Sequence, residues 1–173
     1  MDKSEHCKEV YAYHGLAMYR AQCVEQSIIQ LLIYFDFFEK HIPLFKSKEQ
    51  WEQNFDNFDQ LMSAKTMGQL MKRLVNMDAV DPSLEVLLRE GLKVRNHLAH
   101  RFFVDHALNF LSEAGRDKMI SELVEKCALF NGIEDILNPI TRAMCEKYGL
   151  TDEKLEEIKQ ALLKETADKL DLP

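Results

Sequence analysis

The chain has 173 residues, 46% of them hydrophobic, which fits one globular domain and excludes wholesale disorder. Only 6 Gly and 4 Pro are present, too few turn formers for an all-β fold. A net charge of −7 argues against a generic nucleic-acid coat held on by overall charge.

The opening Met1-Asp2-Lys3-Ser4-Glu5-His6 lacks the apolar core of a signal peptide. From Ser4 to Phe38 the spacing predicts one long amphipathic helix. Its stripe is Val10, His14, Ala17, Ala21, Val24, Ile28, Leu31, Phe35 and Phe38, at alternating intervals of 4 and 3. The longest apolar run, Leu31 to Phe35, is far short of the roughly 20 residues a membrane-spanning helix needs. Ile42-Pro43 is expected to close the helix.

Residues 47–61 predict a short second helix. Thr66 is the expected N-cap of a third, Met67 to Asn76. Asp81-Pro82 reads as an N-cap followed by proline at the first helical position, opening a fourth helix toward Phe103. Ser112 caps a fifth, whose later course past Asn131-Gly132 and Asn138-Pro139 reads as one kinked helix or two. Gly149 and Thr151 then separate off a last helix, Asp152 to Leu170. The expectation is all-α: a helical bundle over residues 1–150 with a four- to five-helix core, and an acidic C-terminal helix (151–173) peripheral to the same domain. The four cysteines are at least 16 residues apart, which suits free thiols in a reducing compartment, and the expected location is the cytoplasm.

Residues 65–101 carry seven basic against four acidic side chains, a +3 island on an acidic protein. Winding the fourth helix from Leu84 places Leu87, Leu88, Gly91, Leu98, Ala99 and Phe102 within about 60° of one direction. Arg95 lands at about +20°, inside that apolar arc. A guanidinium there requires a carboxylate partner, or a cleft or subunit interface where an anion binds. His100, with Asn96 four residues before it, falls some 140° from Arg95 in an unbroken helix. The two share a site only if the helix distorts near residues 98–103 or if a second chain supplies half of it.

Arg95-Asn96-His97-Leu98-Ala99-His100 resembles the R-(polar)-x-x-x-H motif of HEPN domains, all-α bundles that are often ribonucleases. The long first helix, the Thr66 to Leu74 stretch and the aromatic Phe102-Phe103 agree with that layout. The resemblance implies a homodimer that cleaves RNA without metal or cofactor, the ribose 2′-OH attacking the adjacent phosphate. It implies His100 as general acid or base, Arg95 as the holder of the scissile phosphate, and Asn96 as the group that orients His100 or binds the backbone. Lys93, Arg101, Arg73 and Lys72 are the expected strand-binding cations. The expected partners are RNA, a second copy and a protein antitoxin, with no DNA and no membrane. In HEPN toxins silenced by a nucleotidyltransferase antitoxin, a tyrosine stands two places after the motif histidine; this chain has Phe102 there. The alternative reading is a non-catalytic HEPN-like module that binds nucleotide, RNA or a protein.

Other candidates have plainer readings. Arg101 and His106 repeat the Arg-x4-His spacing, but Phe102 occupies the polar position. His14 in the first stripe reads as a satisfied core histidine. His97, His100, Asp105 and His106 permit a metal site by spacing, yet the Glu-x-x-His pair of di-iron bundles is absent.

Overall fold

The computed structural model describes residues 2–77 and 81–169, and among these every regular element is helical. The elements are α1 (Lys3–Leu32), a π-helical turn (Ile33–Phe38), a single α turn α2 (Glu39–His41) and a 3-10 turn (Ile42–Leu44). Then follow α3 (Lys48–Ser63), α4 (Met67–Val75), α5 (Pro82–His100), α6 (Phe102–Asp105), a 3-10 turn (Asn109–Leu111), α7 (Glu113–Lys147) and α8 (Asp152–Lys169). The all-α expectation holds. Contacts divide the chain into two compact units, Met1–Asn138 and Pro139–Pro173.

In the first unit α1 is the spine, with α4 and α5 packed against it and against each other. Val10, Ala17, Ala21, Val24, Ile28 and Leu31 are buried along the predicted stripe. The stripe fails at its end. The π turn holds one more residue than an α turn and so advances the register. Tyr34, Asp36 and Phe37 are buried there, while Phe35 and Phe38 are only half-buried. Ile42-Pro43 closes the run as expected, inside the 3-10 turn. α3 then folds back so that Trp51, Phe55 and Phe58 surround Phe37, with ring centroids 5.0, 5.5 and 5.3 Å away.

The predicted caps form. Thr66 and Gln69 make a reciprocal capping box (Thr66 N to Gln69 Oε1 2.9 Å), and Asp81 Oδ1 accepts from Ser83 N at 2.8 Å ahead of Pro82. Each is worth about 1 kcal/mol. Gly91 brings α5 against α7: a Cβ there would lie 2.7 Å from Ile133 Cδ1. Gly115, in the first turn of α7, is tighter still. A Cβ would sit 2.0 Å from the Asn109 carbonyl oxygen.

α7 is one helix, running past Gly132 and containing Pro139. The second unit comprises its last turns and α8. Gly149, at φ +72°, makes the turn between them, and Thr151 Oγ1 accepts from Lys154 N at 3.4 Å. Arg142 pairs with Asp152 across that turn. α8 ends its described span at Lys169; the expected end at Leu170 lies outside the described residues. No helix among the described residues is long and apolar enough to cross a membrane.

Candidate nucleic-acid site

α5 carries the whole motif, and its regularity decides how the motif is presented. It stays α-helical through His100 and breaks only at Arg101 (φ −128°, ψ −27°), after which α6 starts. The break falls one residue too late to swing His100 toward Arg95. The pair therefore keeps its separation of about 140° around the axis. Leu84, Leu88, Gly91, Leu98 and Phe102 of the predicted arc are buried, but Ala99 is exposed and Leu87 only half-buried.

Arg95 has the carboxylate that its place on the arc demanded. Its Nε donates to Glu25 Oε1 on α1 at 3.1 Å, and Nη1 donates to Asn96 Oδ1 at 3.4 Å. The side chains of Arg95 and Glu25 are 29% and 20% exposed, so the pair is not sealed in the core. Glu25 also lines an open cavity of about 560 Å³ with Tyr19, Gln22 and Ser27. The cation is thus fixed in position yet accessible. Glu25 takes the Nε donor and Asn96 one on Nη1, and the three N–H donors left over suit a phosphate oxygen.

His100 is exposed at the last position of α5. Its neighbours do other work. His97 Nε2 donates to Asp105 Oδ2 at 3.2 Å, and Arg101 reaches the same carboxylate at 2.8 Å. Lys93 is exposed on α5. Lys72 and Arg73 are on α4 and belong to a different place. Arg73 is bound to Asp36, whereas Arg95 is bound to Glu25, eleven residues earlier along α1 and its continuation. At 1.5 Å per residue the two anchors are roughly 16 Å apart. The expected cations therefore form two groups.

His106 is structural. Its Nδ1 accepts from Asn109 Nδ2 at 2.9 Å and its Nε2 meets Glu122 Oε2 at 2.9 Å, with the Phe102 ring tilted against it at 4.6 Å. Burial pushes the Glu122 carboxyl up, but Lys126 and His106 outweigh it and hold it below the usual range. His14 is half-buried and donates from Nε2 to the Leu98 carbonyl at 3.1 Å, tying α1 to the end of α5. Phe102 is 1% exposed, so nothing at that position is open to modification. Among the described residues no three His, Cys, Asp or Glu side chains are grouped to hold a metal ion.

Two carboxylates escaped the sequence reading, Glu25 and Asp36. Glu25 borders the α1 stripe beside Val24, and the arc position of Arg95 already required such a partner. Asp36 is the lone acid within Tyr34-Phe35-Asp36-Phe37-Phe38, and a charge inside an aromatic run is itself a signal. Compared with known proteins, the chain matches no family model, no curated protein and no solved structure.

Proposed function

We propose that this chain is a HEPN-type endoribonuclease that cleaves RNA without metal, working as a homodimer with Arg95, Asn96 and His100 at its centre. The observation that carries the reading is the state of Arg95. It is held by Glu25 but left partly open, five residues before an exposed imidazole at the end of the same helix.

In the reaction the ribose 2′-oxygen forms a bond to phosphorus and the bond to the 5′-oxygen breaks, leaving a 2′,3′-cyclic phosphate and a 5′-hydroxyl. The His100 of one copy takes the proton of the 2′-OH, a role imidazole suits because it titrates near neutral pH, and the leaving 5′-oxygen takes its proton from water. Arg95 stabilises the charge that grows on the phosphate oxygens. Lys93 and Arg101 lie beside the motif and guide the strand.

Labelled single-stranded RNA in excess EDTA tests this, with wild type beside Arg95→Ala and His100→Ala. Cleavage by wild type alone, with cyclic-phosphate ends, is the expected result. Equal cleavage by all three proteins, or none by a wild type that is dimeric and binds RNA, overturns it.

The Arg95–Glu25 pair favours a second reading, a non-catalytic module in which Arg95 joins α5 to α1. There the Arg95→Ala variant would lose stability while no protein cleaved RNA.

A further inference from the structure

The second group of cations surrounds a cavity of its own. The π turn, α2, and α4 with its flanking residues line an open cavity of about 500 Å³, with Lys40, Lys65, Lys72 and Arg73 on its walls against only Asp36 and Glu39. Asp36 is 3% exposed and fully engaged. Arg73 Nε donates to its Oδ2 at 2.7 Å, and Lys40 Nζ lies 2.5 Å from its Oδ1. The buried carboxylate therefore positions two cations without leaving negative charge to face the cavity. The ammonium groups of Lys65 and Lys72 have no hydrogen-bonding or ion-pair partner among the described residues. The wall keeps an excess of positive charge even with Glu39 counted, and a bound anion would be attracted to it.

The remaining wall is mixed, with Phe35 and Met77 giving an apolar patch beside the amides of Gln69 and Asn76. Phe35 is on this wall because the π turn shifted it off the core stripe. π-helical turns recur at functional sites because the extra residue re-aims side chains in this way.

We propose that this cavity binds a phosphate group joined to a flat apolar group, the chemistry shared by a free mononucleotide and by one nucleotide of an RNA strand. Lys65 and Lys72 supply the charge that neutralises the phosphate, Arg73 and Lys40 form the fixed part of the cradle, and Phe35 with Met77 accepts the ring. The site is separate from the motif on α5 and stands whether or not that motif cleaves RNA.

Calorimetric titration with adenosine 5′-monophosphate, adenosine and inorganic phosphate tests it, with wild type, Lys65→Gln/Lys72→Gln and His100→Ala as the proteins. Both lysines are outside the core, and a thermal melt of the double variant checks its fold. The monophosphate is expected to bind wild type and His100→Ala alike, at least about tenfold more tightly than adenosine, and to lose about tenfold or more in the double variant. A five-nucleotide RNA titrated into His100→Ala identifies the source. Tighter binding than the monophosphate, lost in the same double variant, assigns the site to a strand; weaker binding assigns it to the free nucleotide. Equal affinity for monophosphate and adenosine, an unchanged double variant, or no binding of monophosphate and RNA at millimolar concentration each overturns the proposal.

Discussion

Replacing Arg73 by Met removes the main partner of a carboxylate that is 3% exposed, and the cost follows from what stays behind. Breaking a fully buried ion pair costs about 3–5 kcal/mol, because the surviving charge is left in a poor solvent. Here Lys40 still reaches Asp36, and the Arg73 side chain was 33% exposed, so the pair was never wholly desolvated. The expected loss is therefore about 2 kcal/mol, or a fall of about 6 °C in Tm for a chain of this size. Asp36→Asn should cost less, about 1 kcal/mol, since Arg73 can turn to water. The double variant should lose clearly less than the two single losses together, because the second change removes a partner already missing. Acid supplies an independent check. Burial raises the Asp36 carboxyl, but Lys40 and Arg73 more than offset this and hold it below the usual carboxylate range. A lowered folded-state value means that the contribution is complete above about pH 4 and fades as pH falls through that value. Thermal melts of the four proteins at pH 7 and pH 3 should show the gap between wild type and Asp36→Asn closing in acid. Strict additivity, or a gap as wide at pH 3 as at pH 7, would refute the reasoning.

Gly115→Ala should cost about 3 kcal/mol, because its Cβ would meet the Asn109 carbonyl at 2.0 Å, whereas Gly132→Ala enters open space inside a helix and should gain about 1 kcal/mol. Urea unfolding distinguishes the two by midpoints that move in opposite directions. His106→Ala should lose about 2 kcal/mol by emptying a buried ring position and leaving Asn109 without its ring partner and Glu122 with Lys126 alone. His100→Ala, exposed at the end of α5, should melt within about 0.5 kcal/mol of wild type; a His100 variant as unstable as the His106 variant would make the motif histidine structural. Glu134 gives the opposite pH trend from Asp36. Burial raises its carboxyl and the neighbouring Asp135 adds to this, against the hydrogen bond from Ser27 and the charge of Arg20. The folded state then holds a proton that the unfolded state has released, so stability falls as pH rises from about 4.5 through the raised value. Glu134→Gln should gain on wild type between pH 4.5 and pH 7, read as Tm at each pH.

The helices were legible because their signals are local. Stripe spacing, the Thr66–Gln69 box and Asp81-Pro82 each act within a few residues; the two caps form as read, and the stripe does as far as Leu31. The π turn was not legible, since an extra residue in one turn leaves no mark on composition and shows only as Tyr34 and Phe37 buried in place of Phe35 and Phe38. The continuity of α7 was also hidden. Asn131-Gly132 and Pro139 are local breakers, but Phe130, Ile133 and Leu137 are all buried, and that packing outweighs them. At the site, the helix wheel showed that Arg95 needed a partner but not which one. Glu25 is 70 positions away along the chain, and only the packing of α1 on α5 selects it. The split of the cations was likewise out of reach, because it depends on where along α1 the two carboxylates fall.

The regularity of α5 turns the nuclease reading into a statement about two chains. Arg95 and His100 of one copy diverge by about 140°, so a site that uses both takes Arg95 from one chain and His100 from the other. Mixing the inactive Arg95→Ala and His100→Ala proteins then has a defined outcome. Half of the reassorted dimers pair one variant with the other, and in each of these one of the two sites has an intact arginine and an intact histidine. About a quarter of wild-type cleavage should return on mixing, after a brief unfolding step to exchange chains. A site built from one chain's own pair predicts no recovery at all, since every such pair in the mixture is broken. Recovery near zero while sedimentation shows mixed dimers would leave the geometry of α5 incompatible with cleavage by these two residues acting across the pair.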